Sequence, residues 1–279
     1  MRSRAHPFAP VAAATLLAGT AGASNAAITP SGGVWEYDRP ADTWTSLPFS
    51  PSDRNINPRE LWVSRQANDT GSLNVTLGST LVAGDINVGT KAGSTLQLTG
   101  GGGEHSRDNS TLRATGDVRI GGSSLWETDA YMHESHLIGD SVTVGAGATL
   151  TIDLGHWDYS RSGHQYPYPE DAKISSESTL YLAQAERIIV TTQLPSFLMS
   201  GGAPWAPFFT IFAWEENFHI DWINRIEFDL PSGWRYGFRP PGTIPTSNDK
   251  GLIFVRAPEP GALALLAISG LSLSSRRRR

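Results

Sequence analysis

The sequence predicts an all-β chain, a short parallel β-solenoid closed by an antiparallel aromatic-rich unit, and three observations carry that expectation. Two short phrases recur between residues 71 and 184, one built as Ser-Thr-Leu and one as Gly-Asp followed by alternating aliphatics. The 279 residues include 29 glycines and no cysteine, a turn-rich composition that suits strands better than helices. Strand-like aromatic runs, separated by proline and glycine, fill residues 185–257.

Residues 1–27 open with Arg2 and Arg4, continue through an apolar stretch from Val11 to Ala18, and end in a zone of small residues. This is the pattern of a secretory signal peptide, and Ala21-Gly22-Ala23 or Ser24-Asn25-Ala26 satisfies the cleavage site. Residues 28–70 then form an N-terminal cap. Ser31 to Tyr37 alternates like a strand, and Pro48, Pro51 and Pro58 break the rest of the cap into loops. Trp35, Tyr37, Trp44 and Trp62 either cover the exposed end of a sheet or stack on sugar faces.

Residues 71–184 carry the repeat. Its first phrase occurs at Ser79-Thr80-Leu81, Ser94-Thr95-Leu96, Ser110-Thr111-Leu112, Ala148-Thr149-Leu150 and Ser178-Thr179-Leu180. The second occurs at Gly84-Asp85-Ile86, Gly116-Asp117-Val118 and Gly139-Asp140-Ser141-Val142. Strand, Gly-Asp turn, strand, glycine turn is the grammar of coils that bury their apolar side only by stacking. Alternation sends Ile86, Val88, Leu96, Leu98, Leu112, Val118, Ile120, Val142, Val144, Leu150 and Ile152 inward and turns Gln97 and Asn87 to water. The uneven spacing of the leucines places protruding loops at Gly100–Asn109, Trp126–His136 and Gly155–Ala172. Residues 185–257 supply the closing unit that the open end of such a stack requires.

The last segment, residues 258–279, begins Pro258-Glu259-Pro260-Gly261, runs apolar through Leu273 and ends in Arg276, Arg277, Arg278 and Arg279. Apolar residues followed by stacked arginines stop transfer, because the cations stay in the cytoplasm while the apolar part enters the bilayer. The run from Gly261 to Ser275 is 15 residues, short of the roughly 20 of a comfortable span, and snorkelling arginines with local thinning cover the difference. This tail resembles the PEP-CTERM sorting signal of exported bacterial proteins. The repeat phrases resemble the β-helical passengers of autotransporters, and they and the closing strands resemble the bodies of many PEP-CTERM proteins. The resemblance implies signal peptidase and an exosortase-type transpeptidase as processing partners. It also implies a precursor transiently anchored in the inner membrane, a cut near Pro258-Glu259-Pro260, and a product at the cell surface or outside the cell.

Charge and composition narrow the function classes. With Arg2, Arg4 and the four terminal arginines removed, residues 28–260 keep 16 basic against 27 acidic residues, a net charge of −11. Such a charge argues against nucleic acid, and against anionic lipid or polysaccharide, as a merely electrostatic partner. The absence of cysteine excludes disulfides and thiolate chemistry.

Candidate chemistry is sparse. His133 and His136 stand three apart, with His105, His156, Asp158 and His164 in the other expected loops, and read as solvated loop residues rather than as a metal site. Asp117 and Asp140 follow glycine at repeat corners, the place of turn acids, although a lyase reading would pair such acids with Arg113 or Arg119. Trp205, Trp214, Trp222 and Trp234 in the closing unit are candidate carbohydrate contacts or, alternatively, core packing. No nucleophile elbow, phosphate loop or zinc-protease motif occurs. The sequence therefore leads us to expect a structural or adhesive envelope or matrix protein without cofactor, metal or catalytic activity, with a polysaccharide-binding or polysaccharide-cleaving protein on the same scaffold as the alternative.

Overall fold

The computed structural model describes residues 27–100, 109–133, 135–154, 172–182, 184–192, 208–218, 220–242 and 250–256. The sorting residues Pro258, Glu259, Pro260 and Arg276 to Arg279, and residues 1–26 of the signal segment, lie outside them. Among the described residues the chain is all-β, and no helix is long and apolar enough to cross a membrane.

The chain starts with β1 (Ala27–Gly32), β2 (Val34–Asp38) and β3 (Thr43–Ser46), then winds. A first turn of the winding is β4 (Arg54–Asn55), β5 (Glu60–Val63) and β6 (Gly71–Thr76). The next are β7 (Thr80–Ala83), β8 (Ile86–Val88) and β9 (Ser94–Thr99), then β10 (Ser110–Ala114), β11 (Val118–Ile120) and β12 (Thr128–His133). Two more turns are β13 (Ser135–Gly139), β14 (Val142–Val144) and β15 (Ala148–Asp153), and β16 (Ile174–Ser176), β17 (Leu180–Tyr181) and β18 (Arg187–Thr191). A last turn holds β19 (Phe208–Trp214), the 3-10 helix Ile220–Arg225 and β20 (Ile226–Asp229), before β21 (Arg235–Arg239) and β22 (Gly251–Arg256) finish the body.

Three sheets result. Sheet I runs β1-β6-β9-β12-β15-β18-β20, sheet II runs β17-β14-β11-β8-β5-β2-β3, and sheet III runs β21-β22-β19-β16-β13-β10-β7-β4. From β4 to β18 the chain visits III, II and I in unbroken rotation, and every pairing within that span is parallel. The parallel pairing therefore reaches past both ends of the 71–184 repeat. On one side β4 and β5 already belong to it, and on the other β18 continues to β20 and β16 to β19. These outlying strands share the register without sharing the phrases, which is why the repeat alone does not mark them. Antiparallel pairing is confined to the ends, β1 on β6, β2 between β3 and β5, and β22 between β19 and β21.

Parallel in-register pairing stacks like on like. In sheet I, Leu73, Leu96, Ala130, Leu150, Ile188 and Ile226 form one column, and Val75, Leu98, Met132, Ile152 and Val190 the next. Sheet II adds the columns Leu61, Ile86, Val118, Val142, Leu180 and Val63, Val88, Ile120, Val144; sheet III adds Leu81, Leu112, Leu137, Ile174, Phe212. All of these are buried and belong to a single core. The inward set expected from alternation, Leu96, Leu98, Leu112, Val118, Ile120, Val142, Val144, Leu150 and Ile152, is fully buried.

The Gly-Asp phrases occupy one corner, between sheets III and II. Gly116 donates its N–H to the Gly84 carbonyl at 2.8 Å, Asp140 donates to the Gly116 carbonyl at 2.8 Å, and the Asp85 carboxylate accepts the Asp117 N–H at 3.0 Å. After β8 and β11 the chain turns through Gly89 and Gly121 at φ +65° and +72°. A Cβ on Gly89 would lie 1.8 Å from Thr128 Oγ1, so only glycine fits. One expectation is corrected: Trp126–His136 is not a protruding loop, since it contains β12 and the start of β13. Its inward residues are Thr128, Ala130 and Met132, too weakly apolar an alternation to announce a strand.

Leu150→Asp is expected to unfold the body, because an unpaired carboxylate in the middle of an apolar column costs several kcal/mol. Loss of the cooperative melting transition and of the β circular-dichroism signal would register it, and a variant that melts like the parent would contradict the column.

Candidate functional site

The outer face of sheet II near its N-terminal edge gathers the aromatic side chains of the cap. On β2, Val34 and Glu36 are buried, so Trp35 and Tyr37 face out. Register sets Trp35 opposite Trp62 of β5, and Tyr37 opposite Trp44 of β3. Tyr37 and Trp44 stack at 4.4 Å between centroids, and Trp44 meets Trp62 edge-on at 5.7 Å. Cations line the rings: the Arg65 guanidinium lies 4.2 Å from the Trp35 centroid and 5.2 Å from that of Trp44, and the Lys91 ammonium lies 5.0 Å from that of Trp62. Each such contact contributes about 0.5–1 kcal/mol at a half-exposed site. Tyr37 also donates its hydroxyl to Asp42 at 3.0 Å, and that bond holds the phenol above its ordinary pKa.

Glu60 joins this face to a cleft. Its Oε2 accepts the Trp62 indole N–H at 2.9 Å, and its Oε1 accepts Arg39 Nε at 2.8 Å, while Arg39 Nη2 also stands 3.6 Å from Asp85. The cleft, about 700 Å³, lies along the corner between sheets III and II, walled by the β2–β3 turn and by the corners at Pro58, Asp85 and Gly116. Within it, buried Glu36 accepts from Arg54, and from Arg59 at 3.1 Å, and Arg59 also reaches Asp38 at 3.5 Å. Four carboxylates thus share three guanidinia, with one negative charge in excess. The arginines orient these carboxylates, which suits a rigid recognition surface.

Of the four closing-unit tryptophans, the structure describes the side chains of Trp214 and Trp234. Trp214 is buried, packed against Phe218 at 4.4 Å and Phe238 at 5.7 Å, and is corrected from carbohydrate contact to core. Its position on β19 shares the inward parity of Phe212, which seals the end of the core. Trp234 is half-buried against Phe209 at 5.6 Å and packs on the same core. Trp222 falls on the 3-10 helix Ile220–Arg225, and Trp205 lies outside the described residues.

Other candidates disperse or pair. Arg113 projects from sheet III and Arg119 from sheet II, where it pairs with Asp117, so the two do not share one face. His133 is corrected from a solvated loop to a largely covered strand residue. Its Nδ1 lies 3.3 Å from the buried Asp153 carboxylate, which also accepts the Tyr131 hydroxyl at 3.0 Å. Burial, with Asp153 beside it, pushes the Tyr131 phenol well up. His105, His156, Asp158 and His164 lie outside the described residues, and among the described ones no group of three His, Asp or Glu side chains is placed to hold a metal ion. Glu36 and Glu60 were not singled out from the sequence; the usable signal is that Arg39, Arg54 and Arg59 alternate with the acids Glu36, Asp38, Asp53 and Glu60 in the proline-broken cap.

His136 is a second titratable group strongly altered by the fold. Nδ1 lies 2.9 Å from the Ala172 carbonyl and Nε2 lies 3.0 Å from Asn109 Nδ2. A carbonyl only accepts, so Nδ1 carries the proton and Nε2 accepts from Asn109, which satisfies the neutral ring. Burial, aided by Lys173 and partly opposed by the Ala172 bond, pushes the imidazole down to about 4. No family model, no curated protein and no solved structure matches the chain, so the site is interpreted from its own geometry.

Two outcomes are expected. The unfolded imidazole titrates near 6.5, so between that pH and about 4 the unfolded chain binds a proton that the folded chain does not. The His136 contribution is therefore complete above roughly pH 6.5 and is lost as pH falls, on the order of 3 kcal/mol in all. Melting temperatures from pH 7 to 4 should fall more steeply for the parent than for His136→Gln, and parallel curves would contradict the assignment. Trp214→Ala should destabilise the body by about 3–5 kcal/mol, as the loss of a large core aromatic does, measured by denaturant titration.

Proposed function

We propose that the chain is an exported cell-envelope or extracellular-matrix protein of structural or adhesive role. In this reading its body is a short parallel β-solenoid with an antiparallel closing unit, carried between a signal peptide and a PEP-CTERM-type sorting segment. Signal peptidase removes the N-terminal segment, the arginines at 276–279 hold the precursor in the inner membrane, and an exosortase-type transpeptidase cuts at Pro258-Glu259-Pro260. The observation that carries the adhesive part is the ion pairing of the cleft: its carboxylates are bound to arginines, beside a face of half-buried aromatic rings. Rigid rings flanked by fixed hydrogen-bonding groups serve recognition of sugars. The same feature favours polysaccharide binding over polysaccharide cleavage within the second reading.

Intact-mass measurement of secreted material tests the sorting part: the product should begin between Ser24 and Ile28 and end near Pro260, and recovery of the terminal arginines on released protein would refute it. The adhesive part is tested by passing the secreted protein over the producing cell's own exopolysaccharide. Retention without any drop in polymer length is expected, whereas flow-through, or depolymerisation, would overturn it.

A further inference from the structure

The aromatic rings of the cap do not stand alone on sheet II. Register continues their line down the whole face: Trp35 opposes Trp62, Trp62 aligns with Asn87, Asn87 with Arg119, Arg119 with Thr143, and Thr143 with Tyr181. Neighbouring strands lie about 4.8 Å apart, so these rungs mark a straight track of about 24 Å along the winding axis. We propose that this track binds a linear, carboxylate-bearing polysaccharide laid along the axis, with Trp62 and Lys91 holding one sugar residue and Arg119 a later one. The proposal deepens the adhesive reading above and rests on it.

Three features of the track point to this ligand. A pyranose ring offers a flat C–H face that stacks on indole, and Glu60 fixes the Trp62 ring through its N–H at 2.9 Å, so the ring is oriented before anything binds. Lys91 has no carboxylate partner among the described residues; its ammonium rests only over the Trp62 ring at 5.0 Å. A uronate on that ring gives the ammonium a charge-assisted hydrogen bond in exchange for a weaker cation–π contact. Between them and Arg119, the Asn87 side chain is buried, and its Nδ2 has no hydrogen-bond partner. Expected to face water, Asn87 is instead covered by its neighbours, so a ligand oxygen meets this donor only where binding displaces the side chains above the rung. Arg119 is paired with Asp117 and Arg65 with Asp69, so on a body of net charge −11 the attraction for an anionic chain is local and centres on Lys91.

The test uses the secreted protein and homogeneous oligogalacturonates and oligomannuronates of increasing length, with cello-oligosaccharides of equal length as the neutral comparison. Affinity for at least one acidic series should rise with length until the chain spans the track and then level off. It should weaken with added salt and exceed that for the neutral series at least about tenfold. Lys91→Gln with Arg119→Gln, both on exposed side chains, should lose at least about tenfold of it with an unchanged melting temperature. Failure of both acidic series to bind, equal affinity for the neutral series, or full affinity in the double variant would overturn the track. If the exopolysaccharide still retains the double variant as it does the parent, the adhesive reading stands and only the track falls; if the parent is not retained, the adhesive reading itself fails.

Discussion

Each turn of this chain is held by the turns before and after it through a parallel, in-register ladder, and that single constraint decides what every position must be. A residue does not merely face inward; it faces its counterpart one strand away, at about 4.8 Å. Inward columns must therefore be apolar along their length, since one charge would lie against apolar neighbours on both sides. Corners must accept a turn at the same place in successive coils, which is why the Gly-Asp phrases align and why Gly89 and Gly121 share a positive φ. Outward positions are free of the packing demand but not of the alignment, so whatever stands there also forms lines.

Those outer lines are where function can be written without disturbing the fold. Sheet II spends its line on Trp35, Trp62, Asn87, Arg119, Thr143 and Tyr181. Sheet I spends one of its lines on His133, Asp153 and Thr191, where a carboxylate is covered and bracketed by Tyr131 and His133. The contrast is physical. On sheet I the polar groups satisfy each other beneath cover, whereas on sheet II the rings and cations remain half-exposed and Asn87 keeps an unused donor.

The sequence made the columns legible and the boundaries obscure, for one reason. Leu96, Val118 and Leu150 repeat because the core repeats, and all are buried. The Ser-Thr-Leu phrase repeats for a weaker reason: it reports a strand start, not an equivalent place. Leu81 and Leu112 lie in sheet III, Leu96 and Leu150 in sheet I, and Leu180 in sheet II. Tertiary register also hid elements whose local pattern is poor, among them β4 with Arg54 in an inward column and β12 with Thr128 and Ala130. Trp214 was offered as a surface ring because inward and outward tryptophans look alike in sequence. Trp214 lies on β19, where both faces are buried, whereas parity relative to Leu61 turns Trp62 outward and leaves it half-buried.

The same ladder that joins coils would join molecules end to end unless its ends were altered, and the N-terminal end is altered on each sheet. In sheet I the edge strand is β1, reversed in direction and carrying Pro30, which has no N–H to offer a further strand. In sheet III the edge is β4, two residues long, and the column that runs through Leu81 and Leu112 ends on Arg54. Arg54 is tolerated there because Glu36, buried on β2, accepts from it and from Arg59. Sheet II ends on β3, reversed against β2. An ion pair thus takes the place that another leucine rung would hold, which makes a further coil unfavourable at that end. The groups that stop the winding are also those that line the cleft and, through Glu60, orient Trp62. Ending the stack and building a recognition face are one arrangement here, because the last turn is the place where charged and aromatic side chains no longer have to match an aliphatic neighbour on both sides.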